Sequence, residues 1–153
     1  MKQLTWKLVL PLTVISFEIF TKWRYVLVED GPATIMLGFP LAFVCDGWHT
    51  SLSLQIFITE FIIDLLTYLV FWFLLIFGID RFLIKISVHK ILTISLLVLT
   101  GLIITATIMI ASMPNHVYQA RRDFDVKVMV TGYKFIWQQQ DRPDFDKYDP
   151  RRK

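Results

Sequence analysis

Residues 52–79 read LSLQIFITEFIIDLLTYLVFWFLLIFGI, an apolar run of 28 residues. About 20 apolar residues are enough to cross a bilayer, and at ~1.5 Å of rise per residue this run would measure about 42 Å as a helix. It contains two acidic residues, Glu60 and Asp64, and neither Lys nor Arg. Because ionised groups are costly in hydrocarbon, the run predicts a membrane-spanning helix whose carboxyl groups face something other than lipid.

Two further apolar segments lie on either side of this run, at residues 4–21 and 91–112. The first has basic residues at both ends: Lys2, Lys7, Lys22 and Arg24. Its exit contains no pair of small residues for a signal peptidase, so an uncleaved signal-anchor helix is the better interpretation. The last segment carries no charge at all. The pattern therefore predicts three membrane-spanning helices.

Composition supports a membrane location and excludes several function classes. Hydrophobic residues make up 55% of the chain and charged residues only 19%, which is too apolar for an ordinary soluble domain. The net charge is +3, without the basic block and interleaved aromatics of a nucleic-acid groove. A single cysteine, Cys45, excludes an intramolecular disulfide. The expected partner is the lipid bilayer, and nucleic acid is not expected.

The polar segments 23–51 and 113–137 show signs of β-structure. Val126, Val128 and Val130 alternate with more polar neighbours, which is typical of a strand. Since a lone hairpin is marginal in water, we expect three segments to pair into one small sheet. They are residues 23–28, 33–37 and 124–137.

These observations predict a membrane all-α protein, a single membrane domain over residues 1–153 with three transmembrane helices. The spans are at about 4–21, 52–79 and 91–112. A small β-rich extramembrane cap comes from the loop 23–51 and the tail 113–137, and residues 138–153 are expected to be flexible. Basic residues near the spans number five on each side, so the positive-inside rule gives no answer. The signal-anchor character of the first helix favours a cytoplasmic N-terminus in a cell inner membrane, with the first loop and the tail on the opposite side.

Depth along the helices predicts a polar seam inside the bundle. With ~1.5 Å of rise per residue, Asp64 would lie about 3 Å and Glu60 about 9 Å from the middle of residues 52–79. Glu18 would lie at the depth of Glu60 on the first helix, and Thr107 would match that depth on the third. Residues at i, i+4 and i+7 share a helix face. The expected seam consists of Glu18, Glu60, Asp64, Thr67, Tyr68, Thr100 and Thr107.

Three interpretations of the polar seam remain open. In the structural one, neutral carboxyl groups hydrogen-bond across the bundle and set the helix register. In the second, carboxylates that share a site hold protons or cations and relay them. In the third, the acids await a partner subunit.

The first loop contains a weaker candidate, in which Cys45, Asp46 and His49 lie within five residues. A thiol and an imidazole near a carboxylate could bind a metal or form a Cys–His nucleophile pair. One cysteine and one histidine make an incomplete site, so a turn at Asp46-Gly47 is the favoured interpretation. We find no phosphate-binding loop, G-x-S-x-G or H-E-x-x-H motif in the chain, and no cofactor is expected.

Two resemblances add to this interpretation. Gly38-Phe-Pro-Leu41, Asp46-Gly-Trp48 and Phe61-Ile-Ile-Asp64, followed by an aromatic run to Phe73, resemble small multi-pass membrane proteins of bacteria with no assigned activity. That resemblance covers about two-thirds of the chain and implies a bacterial inner membrane.

The second resemblance lies in the tail, where Val126-Lys-Val-Met-Val-Thr-Gly-Tyr-Lys-Phe-Ile-Trp137 is similar to the strands after the second helix of cytochrome oxidase subunit II. In that family a V-x-V-x-G-x-x-W-x-W stretch opens a copper-binding β-domain. Phe135 stands at the first Trp position here and Trp137 at the second. The cysteine pair, histidine and methionine of the copper site have no counterpart, so the resemblance implies a strand that faces a partner and no electron-transfer centre.

The sequence thus favours a non-enzymatic integral membrane protein, an accessory subunit of a larger complex or a homo-oligomer. The alternative is a small transport or proton-relay component in which Glu18, Glu60 and Asp64 carry the proton. An enzyme that uses Cys45 and His49 is the third possibility.

Overall fold

The computed structural model of the chain describes residues 4–29, 31–48, 50 and 53–138. The chain divides into two compact units. One unit, here called the helical unit, combines Met1–Ile19 with Leu65–Met113. The other, the sheet unit, combines Phe20–Asp64 with Pro114–Lys153. Each unit is therefore built from segments that are distant in sequence.

Three α-helices account for the apolar segments. Helix α1 (Leu10–Ile19) follows a π-helical turn at Thr5–Val9. Helix α2 (Ile58–Gly78) continues into a second π-helical turn at Ile79–Leu83. Helix α3 covers Lys90–Ala111. The first residues of α2 belong to the sheet unit and the rest to the helical unit.

Two of these helical segments are long and apolar enough to cross a membrane, judged by length and composition. They are Ile58–Leu83, with 26 residues, and Lys90–Ala111, with 22. At ~1.5 Å per residue they measure about 39 Å and 33 Å, compared with a hydrocarbon core of about 30 Å. Their large apolar side chains are mostly exposed, unlike those of a soluble protein's core helix.

The sheet unit contains a six-stranded mixed sheet in the order β5-β4-β3-β2-β1-β6. All neighbouring strands are antiparallel except β4 and β5, which are parallel. The strands are β1 (Phe20–Val28), β2 (Thr34–Leu37), β3 (Val44–Asp46), β4 (Leu54–Phe57), β5 (Val117–Gln119) and β6 (Val126–Phe135). Both chain segments of the unit thus contribute to one sheet.

The longest pairing joins the first loop to the tail. Strand β1 pairs with β6 over nine residue pairs, from Phe20–Phe135 to Val28–Val126, with a bulge at Tyr25/Val26. Aromatic and β-branched side chains dominate both strands, as strand propensity favours. The three segments expected to pair do so in this sheet.

One face of the sheet covers a small core in which aliphatic, sulfur-containing and aromatic side chains are fully buried. They are Val26, Val28, Met36, Ala42, Cys45 and Phe57. Phe124 and Val126 pack against this cluster from the tail. The core therefore depends on residues from both ends of the described chain.

The predicted fold class, membrane all-α with three transmembrane helices and a small β-rich cap, is wrong. The structure is α/β, with three helices and a six-stranded mixed sheet, and among the described residues it has two candidate spans. The first apolar segment leaves the helix at Ile19 and enters β1. The long central run begins as β4, because Leu54–Phe57 pairs with β3 and β5, and becomes helical at Ile58. Apolar composition does not separate a strand from the start of a membrane helix.

The expectation of a flexible end over 138–153 falls, apart from Gln138, outside the described residues.

Candidate functional site

A short loop between β2 and β3, residues 38–41, is the centre of the polar contacts in the sheet unit. Gly38 has a φ of 143°, in the region that favours glycine. A Cβ atom added there would lie 2.3 Å from the Leu41 carbonyl oxygen. The Gly38 N–H donates to the Lys22 carbonyl at 3.0 Å, and the Phe43 N–H donates to the Leu37 carbonyl at 3.0 Å. The loop therefore requires glycine at this position.

The guanidinium of Arg24, in β1, binds two carbonyl groups of this loop. Its Nη1 donates to the Gly38 carbonyl at 3.1 Å, and its Nη2 donates to the Pro40 carbonyl. Burial lowers the pKa of the guanidinium below its usual 12.5, and the charge of Asp64 opposes that effect. Arginine stays charged at neutral pH even so, so a half-buried cation lies beneath the loop.

The carboxylate of Asp64, in the second turn of α2, binds a backbone N–H group of the same loop. The Asp64 side chain is fully buried, and its Oδ1 accepts a hydrogen bond from the Leu41 N–H at 2.8 Å. Arg24 is close enough to interact electrostatically with the carboxylate. Charge-assisted hydrogen bonds are stronger than neutral ones. The pair therefore ties the start of α2 to the loop and, through it, to β1.

The carboxyl groups retain oxygens without partners. Within the residues that the structure describes, Asp64 Oδ2 and Glu60 Oε2 are buried and make no hydrogen bond. Glu60 lies one turn before Asp64, and their like charges interact. A buried acceptor without a donor carries a desolvation cost. Two neighbouring carboxyl groups, of which Asp64 interacts with the guanidinium of Arg24, could hold a proton or serve as a structural anchor.

The helical unit has its own set of polar contacts. Thr107 Oγ1 of α3 lies 2.9 Å from Glu18 Oε1 of α1, and 3.0 Å from the Ile103 carbonyl of its own helix. Thr100 donates to the Leu96 carbonyl of its own helix at 2.8 Å. Thus one threonine joins α1 to α3, and the other satisfies its hydroxyl locally.

Two further contacts join α1 to α2 in the helical unit. The ring of Tyr68 packs edge-on against Phe17, with centroids 5.6 Å apart. Trp72 Nε1 donates to Ser16 Oγ at 2.8 Å. Thr67 is half-buried. The sequence interpretation did not include Ser16 or Trp72, although a serine on one apolar helix and a tryptophan on another are a possible hydrogen-bonding pair.

The residues of the predicted polar seam are thus distributed over both units. Glu60 and Asp64 lie in the sheet unit, and the remaining members lie in the helical unit: Glu18, Thr67, Tyr68, Thr100 and Thr107. The candidate span is Ile58–Leu83 and not residues 52–79, so the expected depth of Glu60 and Asp64 in the membrane changes. Asp64 lies about 10 Å and Glu60 about 16 Å from its midpoint at ~1.5 Å per residue, near the ~15 Å half-thickness of the hydrocarbon. The acids are therefore near one end of the span rather than at its middle.

The Cys45 candidate lies in β3. Cys45 is buried, and burial together with Asp46 raises the pKa of its thiol to about 12. Its Sγ donates weakly to Gln55 Oε1 at 3.9 Å. Asp46 is exposed, and His49 lies outside the described residues. Since the thiolate is the reactive form, this buried thiol is a poor nucleophile and a poor metal ligand at neutral pH.

Among the described residues, no group of three His, Cys, Asp or Glu side chains is arranged to hold a metal ion. The residues that sequence reasoning missed are Arg24 and the loop 38–41. Gly38-Phe-Pro40 has the composition of a turn, but nothing in the local pattern indicates that it lies between Arg24 and Asp64.

No protein-family model, curated protein or solved structure matches the chain. The resemblances to small bacterial membrane proteins and to cytochrome oxidase subunit II therefore stay predictions. The functional assignment rests on the residues and contacts described above.

Proposed function

We propose that this protein is an integral membrane protein in which α2 and α3 form a transmembrane hairpin that anchors the sheet unit. One observation carries the proposal: large apolar side chains stay exposed along both helices. Examples are Phe71 (56% exposed), Leu74 (60%), Leu102 (65%) and Met109 (70%). Water-facing surfaces rarely expose contiguous apolar area on this scale. In a bilayer, lipid tails would cover these apolar side chains, so their exposure would carry no free-energy cost.

The connectivity of the sheet supports a hairpin. Strand β4 directly precedes α2, and β5 follows α3, yet the two strands are hydrogen-bonded neighbours. Thr59 at the start of α2 also donates to the Ala120 carbonyl, through its N–H at 3.1 Å and its Oγ1 at 2.7 Å. These contacts require the ends of α2 and α3 that adjoin β4 and β5 to lie on the same side of the membrane. Two membrane crossings, one by each helix, satisfy this requirement.

We place the hairpin in a bacterial inner membrane with its connector in the cytoplasm. The count of five basic residues on each side assumes three crossings. In a hairpin of two crossings, the connector is the short loop, and it carries Arg81, Lys85 and Lys90; short cytoplasmic loops are enriched in such residues. The first loop and the tail would then lie on the opposite side. The expectation of a cytoplasmic N-terminus depended on a first helix that crosses the membrane, and the two candidate spans found within the described residues do not include that helix.

The proposed role is non-enzymatic: an accessory subunit that docks its sheet unit to other membrane components or to a second copy. The buried, protonated thiol of Cys45 argues against covalent catalysis at the residue that sequence reasoning had singled out. Co-purification in mild detergent tests the role, with native mass as the readout. A monomer recovered without partners would contradict it.

Membrane integration is tested with Leu102→Lys in the middle of α3. Lysine at a helix centre costs about 2.5–3.5 kcal/mol on insertion, so we expect the variant to be lost from the carbonate-resistant membrane fraction. Ile91→Lys, at the end of the same helix, is the matched control and should integrate normally. If wild-type protein is released by carbonate, the anchoring proposal fails.

A small proton-relay component is the second candidate, favoured by the buried, unpartnered oxygens of Asp64 and Glu60 within the described residues. Asp64→Asn keeps an acceptor for the Leu41 N–H while it removes the titratable proton. In vesicles containing the protein and a pH-sensitive dye, the relay predicts proton flux that Asp64→Asn abolishes. Equal dye responses in empty vesicles and in wild-type vesicles would exclude the relay.

A further inference from the structure

A group of aromatic side chains lies together at one end of β1 and β6, and we call it the aromatic patch. The cross-strand register places Phe20 opposite Phe135 and Lys22 opposite Tyr133. Directly opposed residues in an antiparallel pair share one face of the sheet. The members of the aromatic patch are Phe20, Phe39, Tyr133, Phe135 and Trp137.

The rings of the aromatic patch support one another. Phe20 stacks on Tyr133, with centroids 5.5 Å apart and planes 11° apart. Phe39 meets both rings edge-on, at 6.0 Å and 5.9 Å. Phe135 stacks on Trp137 at 4.9 Å, with planes 1° apart. Such ring pairs stabilise one another beyond the area that they bury, so the aromatic patch is preformed.

The aromatic patch nevertheless remains open. Tyr133 is 56% exposed and Trp137 is 69% exposed, and the neighbouring Ile136 is 67% exposed. Internal stacking has covered one side of these rings and left the other uncovered. Contiguous exposed apolar area of this kind marks an interaction surface.

The chemistry of the aromatic patch matches a lipid headgroup region. Lys22 Nζ lies 5.4 Å from the centroid of the Tyr133 ring, and the ammonium can reach an anionic group above the rings. Tyr and Trp concentrate at membrane–water interfaces, where one end of the ring is apolar and the other is wet. Basic side chains close to a membrane surface are attracted to its anionic lipids.

The loop 38–41 connects the aromatic patch to the first turns of α2. Phe39 belongs to the loop 38–41, and Leu41 of the same loop donates to Asp64 in the second turn of α2. These residues all belong to the sheet unit. The loop therefore touches both the aromatic patch and the helix that leads into the bilayer.

We propose that the aromatic patch seats the sheet unit on the headgroup region of the same bilayer, with Lys22 bound to anionic phospholipid. This inference rests on the proposed transmembrane hairpin. The patch would add a headgroup contact to the attachment that the hairpin supplies.

The test uses a fluorophore attached at Ile136→Cys in the full chain, reconstituted in vesicles of phosphatidylcholine and phosphatidylserine. Cys45 is buried with a raised thiol pKa, so the label goes to the new cysteine. The matched control is Val128→Cys, 48% exposed and roughly 23 Å from Phe135 along β6 at ~3.3 Å per residue. Lipid with a nitroxide on its headgroup should quench the Ile136 label several-fold more than the Val128 label.

Two sets of variants sharpen the test. Tyr133→Ser with Trp137→Ser should reduce quenching several-fold, whereas Tyr118→Ser, an exposed ring on β5, should not. Lys22→Gln should keep the fold and remove the preference for vesicles that contain phosphatidylserine.

Three results would overturn the inference. The first is equal quenching at Ile136 and Val128 in protein that resists carbonate extraction, which leaves the anchor intact. The second is quenching that follows protein density instead of quencher content, which indicates contact between two copies. The third is release of the protein by carbonate, which removes the anchor and this inference with it.

Discussion

At the scale of single residues, the loop 38–41 depends on three side-chain identities. Gly38 permits the backbone turn, Arg24 binds the carbonyl groups, and Asp64 binds an amide. Opposite charges on the two sides of one loop stabilise it because each partly compensates the burial of the other. Loss of either charge leaves its partner buried without compensation, which costs more than the pair contributes.

Gly38→Ala is expected to destabilise the sheet unit by more than about 1 kcal/mol, because alanine tolerates a positive φ poorly and its Cβ would clash with the Leu41 carbonyl. Thermal unfolding in detergent measures the effect. Gly101→Ala is the control, since nothing lies within 4 Å of a Cβ there and alanine favours a helix interior. Equal unfolding midpoints for the two variants would contradict the strained turn.

The Cys45 thiol should react slowly in the folded protein. With a pKa raised from 9.0 to about 12, it carries roughly a thousandfold less thiolate at pH 8 than an unperturbed thiol. The rate of alkylation should rise about tenfold per pH unit. Since the folded pKa is the higher one, the stability that the protonated thiol contributes is present below pH 9 and is lost as pH rises towards 12. Asp46→Cys, exposed on the same strand, should react at the rate of a free thiol; similar rates at both positions would contradict burial.

At the scale of elements, side-chain hydrogen bonds join the helices of the helical unit. Thr107 and Glu18 join α3 to α1, and Trp72 and Ser16 join α2 to α1. Lipid offers no hydrophobic drive between helices, so such contacts and close packing hold membrane helices together.

Thr107→Val is expected to weaken α1–α3 packing by about 0.6 kcal/mol, the average for hydrogen bonds between membrane helices. Unfolding in mixed micelles measures it, and a double-mutant cycle with Glu18→Gln isolates the coupling. Thr105→Val is the matched control, because Thr105 donates to the Gly101 carbonyl of its own helix at 2.8 Å. If Thr105→Val destabilises the protein as much, the contact with Glu18 contributes nothing specific.

Element boundaries show where sequence reasoning worked and where it failed. The helix at Lys90–Ala111 agrees with the expected 91–112 because an uncharged run of this length has no competing pattern. The run 52–79 was assigned wholly to a helix, but Leu54–Phe57 forms β4 through hydrogen bonds to β3 and β5. Those partners lie in other parts of the chain, so no window of local sequence contains the information.

At the scale of the whole molecule, the sheet depends on both segments of its unit. The nine β1–β6 pairs and the packing of Phe124 and Val126 on the core bring the tail to the first loop. Contacts of this sequence separation lower the folding rate. The tail is therefore a structural part of the sheet unit.

A chain truncated after Arg122 should fail to form the sheet unit, because β1 loses β6, the neighbour with which it makes its longest pairing, and the core loses Phe124 and Val126. The expected result is rapid proteolysis within residues 20–37 and loss of the β signal in circular dichroism. A chain that ends at Gln138 retains every described strand and should behave as the full chain does. Protease resistance in the shorter chain would show that β6 is dispensable.

The sequence by itself determined the two apolar helices, the strand character of the loop and the tail, and the presence of two acids within the second apolar run. These features depend on local composition and periodicity, which a window of sequence contains. Residue 64 was recognised as a carboxyl group that needs a partner.

Only the tertiary structure decided which groups the Asp64 carboxylate contacts. Asp64 binds Leu41 and lies near Arg24, which are 23 and 40 residues away in the chain. Strand pairing also decided that residues 20–21 and 54–57 join a sheet. Because α2 therefore begins at Ile58, Glu60 and Asp64 lie near one end of the span. Hydrogen bonds between distant segments, satisfied together, select one arrangement among several that local propensity permits.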